Sequence, residues 1–103
     1  MAEGLLAGRT ALVTGASSGL GRHFATVLAR NGAKVAIAAR RMENLEALAG
    51  EIGKAGGQAL PISLNVADPA AIRAAVEKTE QDLGPIGILI NNSGIAPSES
   101  ALD

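Results

Sequence analysis

The stretch TGASSGLG, residues 14–21, joins a short apolar run to a helical pattern and decides how the rest of the chain is organised. The preceding run TALVT, residues 10–14, is typical of a buried strand. A strand that ends in a glycine turn and continues as a helix directs backbone N–H groups into the turn, where the helix dipole favours an anion. We therefore predict a phosphate-binding turn, the alternative being that the glycines serve only a tight connection. The predicted contributors are Gly15, Ser17, Ser18, Gly19, Leu20 and Gly21.

Length and composition indicate one small domain over residues 1–103. Apolar residues make up 48% of the chain, yet Phe24 is the only aromatic residue, so Ala, Val, Ile and Leu must build the core. Such a core suits a buried parallel sheet between helices.

Charge and cysteine content exclude several classes of function. Nine basic and ten acidic residues are interspersed, which argues against nucleic acid or an anionic membrane as a partner. The chain has no cysteine, which removes disulfides, thiolate metal sites and thiol catalysis, and we predict no metal site. No signal peptide or membrane-spanning run is recognisable, so a cytoplasmic location is expected.

Strand and helix patterns alternate along the whole chain. The third helix is predicted to start at Asp68-Pro69, an N-cap followed by a proline, and to bury Ile72, Ala75, Val76 and Leu83. Alternation of this kind predicts right-handed crossovers and a doubly wound parallel α/β sheet of the Rossmann type, with strand order 3-2-1-4. The predicted strands are residues 10–14, 34–39, 59–66 and 86–91.

The corner after the second strand carries Arg40 and Arg41. In dinucleotide-binding folds this corner meets the adenosine ribose, where a carboxylate would bind the 2′-hydroxyl of NAD. Here two guanidinium groups replace the carboxylate, and a hydrogen bond to a charged group contributes about 1.5–3 kcal/mol. We predict NADP(H) in preference to NAD(H). The alternative is that both arginines belong to a solvated surface turn, and this alternative is stronger for Arg41 than for Arg40.

The two motifs TGASSGLG, residues 14–21, and NNSG, residues 91–94, together resemble the N-terminal, cofactor-binding half of a short-chain dehydrogenase/reductase. The resemblance extends from Arg9 to the last residue. It implies that Asn65, an aspartate in many members, and Val66 contact the adenine ring; the alternative for Asn65 is an ordinary turn residue. It also implies that a second group of residues, at the end of the fourth strand, lines the adenine-side ribose and braces the sheet. For Asn91 and Asn92 the alternative is that they only brace the sheet. That group is Asn91, Asn92, Ser93 and Gly94, the serine replacing a commoner alanine.

Catalytic residues cannot be assigned in this sequence. The resemblance implies hydride transfer to a carbonyl with the help of a tyrosine, a lysine and a serine, but the chain has no tyrosine and ends before the expected positions. His23 is the only histidine, a residue type that often transfers protons. Because it falls inside the first helix beside Phe24, we predict a structural or surface role for it.

The fourth predicted strand is apolar on both faces and would be an exposed sheet edge. We therefore expect a partner: the C-terminal half of the enzyme, or a second copy across that edge. The favoured function is the NADP(H)-binding portion of an oxidoreductase. A stand-alone dinucleotide-binding module and a remnant that binds nothing are the alternatives.

Overall fold

The computed structural model describes residues 5–17 and 19–92. The predictions for Ser18, Ser93 and Gly94 lie outside these residues. The strands are β1 (Thr10–Thr14), β2 (Lys34–Ala39), β3 (Gln58–Ser63) and β4 (Ile86–Asn91). The helices are α1 (Gly19–Arg30), α2 (Met42–Lys54) and α3 (Pro69–Leu83).

The four strands form one parallel sheet in the order β3-β2-β1-β4, which confirms the predicted α/β topology. The two central strands are buried along almost their whole length. Thr14, the last residue of β1, pairs with Ala38 on one side and with Asn91 on the other. The carboxyl ends of these three strands therefore meet at one edge of the sheet.

Two apolar layers enclose the sheet. On one face, alternate residues of β1 and β2 pack against α2 and against Ala25 of α1. On the other face, Leu12 and Ala36 pack against α3. The α2 residues in the first layer are Leu45, Leu48 and Ile52, and the buried α3 residues in the second are Ala75 and Leu83. Because Phe24 is only half-buried, the core consists almost entirely of aliphatic side chains.

Local sequence signals account for the helix ends. The Asp68 side chain accepts a hydrogen bond from the Ala70 N–H at 3.0 Å, and Pro69 begins α3, as predicted. Gly32, at φ +97°, follows α1, and Gly56, at φ +91°, follows α2. A side chain is strained at these angles, so glycine ends both helices at little cost.

Two details differ from the prediction. β3 ends at Ser63 rather than at residue 66, because Asn65 starts a turn: its Oδ1 accepts from the Ala67 N–H at 3.0 Å and its carbonyl accepts from the Asp68 N–H at 3.1 Å. Ile72 is 40% exposed rather than buried. It lines, together with Leu89, an open apolar groove of about 240 Å³ between α3 and β4.

Strand β4 forms one edge of the sheet. Its residues alternate between half-buried and exposed, and Leu89 is 62% exposed. Ile88 and Ile90 pack on the layer that contains α2, whereas Ile86 packs on the layer that contains α3, because the pairing with β1 is irregular between Thr10 and Ala11. The apolar character predicted for both faces of this strand is thus present. None of the helices in residues 5–17 and 19–92 has the length and apolar content needed to cross a membrane.

Candidate functional site

The glycine turn begins where β1 ends. Gly15 adopts φ +66°, a left-handed conformation that favours glycine. The next residue, Ala16, is fully buried and donates its N–H to the carbonyl of Ala38 at 3.1 Å. This hydrogen bond fixes the turn against the end of β2, so the turn has a defined position before any ligand binds.

Gly21 is required by packing. A Cβ on Gly21 would lie 2.2 Å from the Gly15 oxygen and 2.9 Å from Nδ2 of Asn92. The same Nδ2 donates a hydrogen bond to the Gly15 oxygen at 3.2 Å, and the Asn92 N–H donates to the carbonyl of Thr14 at 3.3 Å. The first turn of α1 therefore packs directly against the glycine turn and the end of β4.

Gly19 has a different environment. Apart from its chain neighbours and its own helix, no heavy atom of the described residues lies within 4 Å of a Cβ placed on it. Leu20 beside it is 51% exposed. Packing among the described residues therefore does not require glycine at this position, and none of them fills the space beside it, where a ligand could approach the N-terminal turn of α1.

The two asparagines at the end of β4 connect that strand to β1. Oγ1 of Thr14 donates to Oδ1 of Asn91 at 3.0 Å, and the side chain of Asn92 holds Gly15 as described above. These contacts are those expected of bracing residues. Contact of Asn91 and Asn92 with a cofactor stays a prediction.

An open cleft of about 600 Å³ lies at the carboxyl edge of the sheet. It brings together the glycine turn, the β2–α2 corner and the β3–α3 loop. Its lining residues are Gly15, Ser17, Ala39, Arg40, Arg41, Asn44 and Val66. Five of these seven were predicted as site residues, and they come from three separate parts of the sequence.

The β2–α2 corner provides the positive charge of the cleft. Arg40 and Arg41 are both exposed, and neither guanidinium forms an ion pair within the described part of the chain. Arg41 is the N-cap residue of α2, with φ −101° and ψ 113°, and no side chain caps the helix. The N–H groups of this first turn add a partial positive charge to that of the two guanidinium groups, and Glu43 in the same turn offsets part of it.

Asn44 was not identified from the sequence. It lies in the first turn of α2 and lines the cleft beside both arginines. Its only sequence signal is a polar residue three positions after Arg41, which is also common on the solvent face of a helix. Burial and periodicity therefore could not distinguish Asn44 from an ordinary polar residue on the helix surface.

The β3–α3 loop places its two predicted residues differently. Val66 is 38% exposed and lines the cleft, so it offers an apolar surface there. Asn65 does not line the cleft; its Oδ1 accepts the Ala67 N–H in the turn described above. A contact between Asn65 and adenine stays a prediction.

Other kinds of site find no support in residues 5–17 and 19–92. No group of three or more His, Asp or Glu side chains in this part of the chain is placed to hold a metal ion. His23 is exposed, its ring centroid lies 6.4 Å from that of Phe24, and it does not line the cleft. The cleft is thus the place where predicted site residues from separate loops meet.

Sequence and structure comparisons agree on the relatives of this chain. The family described as short chain dehydrogenase matches residues 9–103. A short chain dehydrogenase of Pseudocercospora fijiensis is 44% identical over 94 residues, which are 91% of this chain and 30% of that protein. The crystal structure of a short-chain type dehydrogenase/reductase from Mycobacterium marinum superposes with a TM-score of 0.84 at 42% identity, covering 95% of this chain and 40% of that one.

A metagenomic short-chain oxidoreductase was solved in complex with NADP. It superposes with a TM-score of 0.82 at 38% identity, covering 87% of this chain and 41% of that one. The chain thus spans well under half the length of each of these three relatives. Because the family match extends over nearly the whole sequence, and the fold and strand order agree with it, the chain belongs to the short-chain dehydrogenase family.

Proposed function

We propose that this chain is the NADP(H)-binding portion of an oxidoreductase that transfers hydride between nicotinamide and a carbonyl or alcohol substrate. The observation that carries the proposal is the cleft in which the glycine turn faces two guanidinium groups that have no ion-pair partner in the described residues. The NADP held by the metagenomic relative supports the choice of cofactor.

The residues of the cleft and the neighbouring first turn of α1 support a phosphorylated dinucleotide as the ligand. Gly19 leaves open space at the N-terminus of α1, where a pyrophosphate would be held by N–H groups and by the hydroxyls of Ser17 and Ser18. Arg40 and Arg41 would bind the 2′-phosphate, which guanidinium groups recognise well. The remaining predicted contacts are Gly15, Leu20 and Gly21 at the turn, Asn65 and Val66 at the adenine, and Asn91, Asn92, Ser93 and Gly94 at the ribose.

The role of this chain in the reaction is to bind the nicotinamide cofactor and to orient it. When bound, the nicotinamide donates or accepts a hydride. The sequence contains no tyrosine, so we propose that proton transfer at the substrate oxygen comes from another segment: a C-terminal half, or a second polypeptide. The exposed edge of β4, with Leu89 62% exposed, supports a partner there, either that half or a second copy of the chain.

A stand-alone dinucleotide-binding module is the second candidate function. The two candidates predict a different composition of the purified protein. The enzyme requires either a co-purifying polypeptide with a Tyr-x-x-x-Lys segment or an intact mass above that of 103 residues. A single species of 103 residues that still binds NADPH supports the module instead.

Phosphate recognition can be tested with two small ligands, adenosine 2′,5′-bisphosphate and adenosine 5′-monophosphate, which differ only in the 2′-phosphate. Calorimetric titration should give at least about tenfold tighter binding of the bisphosphate, because each charge-assisted bond contributes about 1.5–3 kcal/mol. Arg40→Ala should remove most of this difference. Arg30→Ala, at the exposed C-terminal end of α1 and away from the cleft, serves as the matched control and should leave it intact.

Equal affinities for the two ligands in the unmodified chain would overturn the NADP preference. A chain that binds neither ligand and neither nicotinamide cofactor would overturn both candidate functions and support the remnant that binds nothing.

A further inference from the structure

Ser63 connects two of the loops that bound the cleft. It is the last residue of β3 and pairs with Ala39, the last residue of β2. Its Oγ donates a hydrogen bond to the carbonyl of Arg40 at 3.2 Å. Nothing in the sequence marks this serine as a site residue, and it does not line the cleft.

The backbone of Arg40 lies just beyond the paired part of β2. The Leu64 N–H donates to the carbonyl of Ala39 at 2.8 Å, which fixes the chain up to that residue. The next carbonyl, that of Arg40, is the one that Ser63 holds. After it, Arg41 turns with extended angles into α2. The Ser63 hydroxyl therefore acts on the peptide between the two arginines.

We propose that Ser63 is a positioning residue for cofactor selectivity. Its hydroxyl orients the peptide between Arg40 and Arg41 so that the two guanidinium groups reach the same 2′-phosphate. This inference rests on the proposed function, since it requires the arginines to bind that phosphate. It adds a residue that acts through the arginines, with no contact to the cofactor.

The effect of Ser63 should be specific for the phosphorylated ligand. Arg40 and Arg41 carry exposed side chains without ion-pair partners among the described residues, so their orientation depends on the backbone beneath them. A peptide without its hydrogen bond rotates more freely, and more backbone conformational entropy is then lost when the phosphate binds. The pairing of β2 with β3 is made by backbone groups and does not need the hydroxyl.

The test compares Ser63→Ala and Ser63→Thr by titration with adenosine 2′,5′-bisphosphate and adenosine 5′-monophosphate. We expect Ser63→Ala to weaken bisphosphate binding about three- to tenfold, with monophosphate binding unchanged. Ser63→Thr retains a hydroxyl and should keep the affinity ratio. Thr26→Ala is the matched control, because Thr26 Oγ1 donates to the Arg22 carbonyl at 3.0 Å on α1, away from the cleft.

Three outcomes would overturn the role of Ser63: an unchanged ratio in Ser63→Ala, an equal loss for both ligands, or an equal loss of the ratio in Ser63→Ala and Ser63→Thr. Melting temperatures of all variants show whether folding has changed.

The failure of the Ser63 proposal can be distinguished from the failure of the proposed function. If Arg40→Ala alters the ratio and Ser63→Ala does not, only the positioning role fails; if neither alters it, phosphate recognition by this corner fails as well.

Discussion

The glycine turn and the arginine corner bound the same cleft but are built in opposite ways. At the glycine turn, Gly15, Gly21 and Asn92 are in mutual contact and leave no space for one more carbon atom. At the corner, Arg40 and Arg41 are exposed, and the hydrogen bond from Ser63 reaches their backbone only. The first region is determined by packing, whereas the second is free to serve a ligand. Substitutions in the two regions should therefore separate folding from recognition.

The largest effect is expected for Gly21→Ala. The added Cβ would meet the Gly15 oxygen at 2.2 Å, and backbone on both sides must move to relieve the overlap. We expect a loss of more than about 3 kcal/mol in the free energy of unfolding, measured by urea denaturation. Gly50→Ala is the matched control, because Gly50 lies in α2 and, apart from its chain neighbours and its own helix, no atom of the described residues lies within 4 Å of the added carbon. The control should gain about 0.5–1 kcal/mol from helix propensity. Equal stability of the two variants would contradict the close packing at Gly21.

Charge reversal at the corner should change selectivity and leave folding intact. In Arg40→Asp a carboxylate repels the 2′-phosphate and can accept a hydrogen bond from the ribose 2′-hydroxyl. We expect the NADPH-to-NADH affinity ratio to fall by a factor on the order of 100, measured by calorimetry. The melting temperature should stay within a few degrees of the unmodified chain, since Arg40 is exposed. A variant that keeps its preference for NADPH would show that this corner does not select the cofactor.

The smallest effect is expected for Gly19→Ala, and it sharpens the comparison within the glycine turn itself. The added methyl group faces open space, so the free energy of unfolding should change by less than about 1 kcal/mol. The same methyl occupies space at the N-terminus of α1, so both adenosine 2′,5′-bisphosphate and adenosine 5′-monophosphate should bind several-fold more weakly. A marked loss of stability, or unchanged affinity for both ligands, would show that Gly19 does not differ from Gly21 as proposed.

The fold could be predicted because its signals are local and repeated. Apolar runs marked the strands, and Asp68-Pro69 marked the start of α3 where the structure has it. The predicted end of β3 was wrong, because the Asn65 turn competes with strand pairing and the hydrophobic pattern of the sequence does not reveal this turn. The predicted burial of Ile72 was wrong, because periodicity shows which face of a helix is apolar, while the exposure of that face depends on which elements lie opposite it.

The site was predictable in part for the same reason. Glycines and arginines at strand ends carry a recognisable chemistry, and the cleft brings several of them together. The sequence did not point to Asn44, which lines the cleft, or to Ser63, which bonds the Arg40 carbonyl, because single polar residues at a helix start or a strand end are common on any surface. The contrast between Gly19 and Gly21 could not be predicted either. It depends first on the Gly15 carbonyl, which lies against Gly21, and then on Nδ2 of Asn92, a residue far away in the sequence.

The position of β1 and β2 at the centre of the sheet has a consequence for the timing of motions. Their amide groups are covered by strands on both sides and by apolar layers above and below, so they should be among the last to exchange with solvent. The cleft lies at the ends of these same strands. A ligand bound there rests on residues that these strands hold in place, so its binding free energy would add to the global free energy of unfolding and would leave fraying of the edge strands almost unaffected.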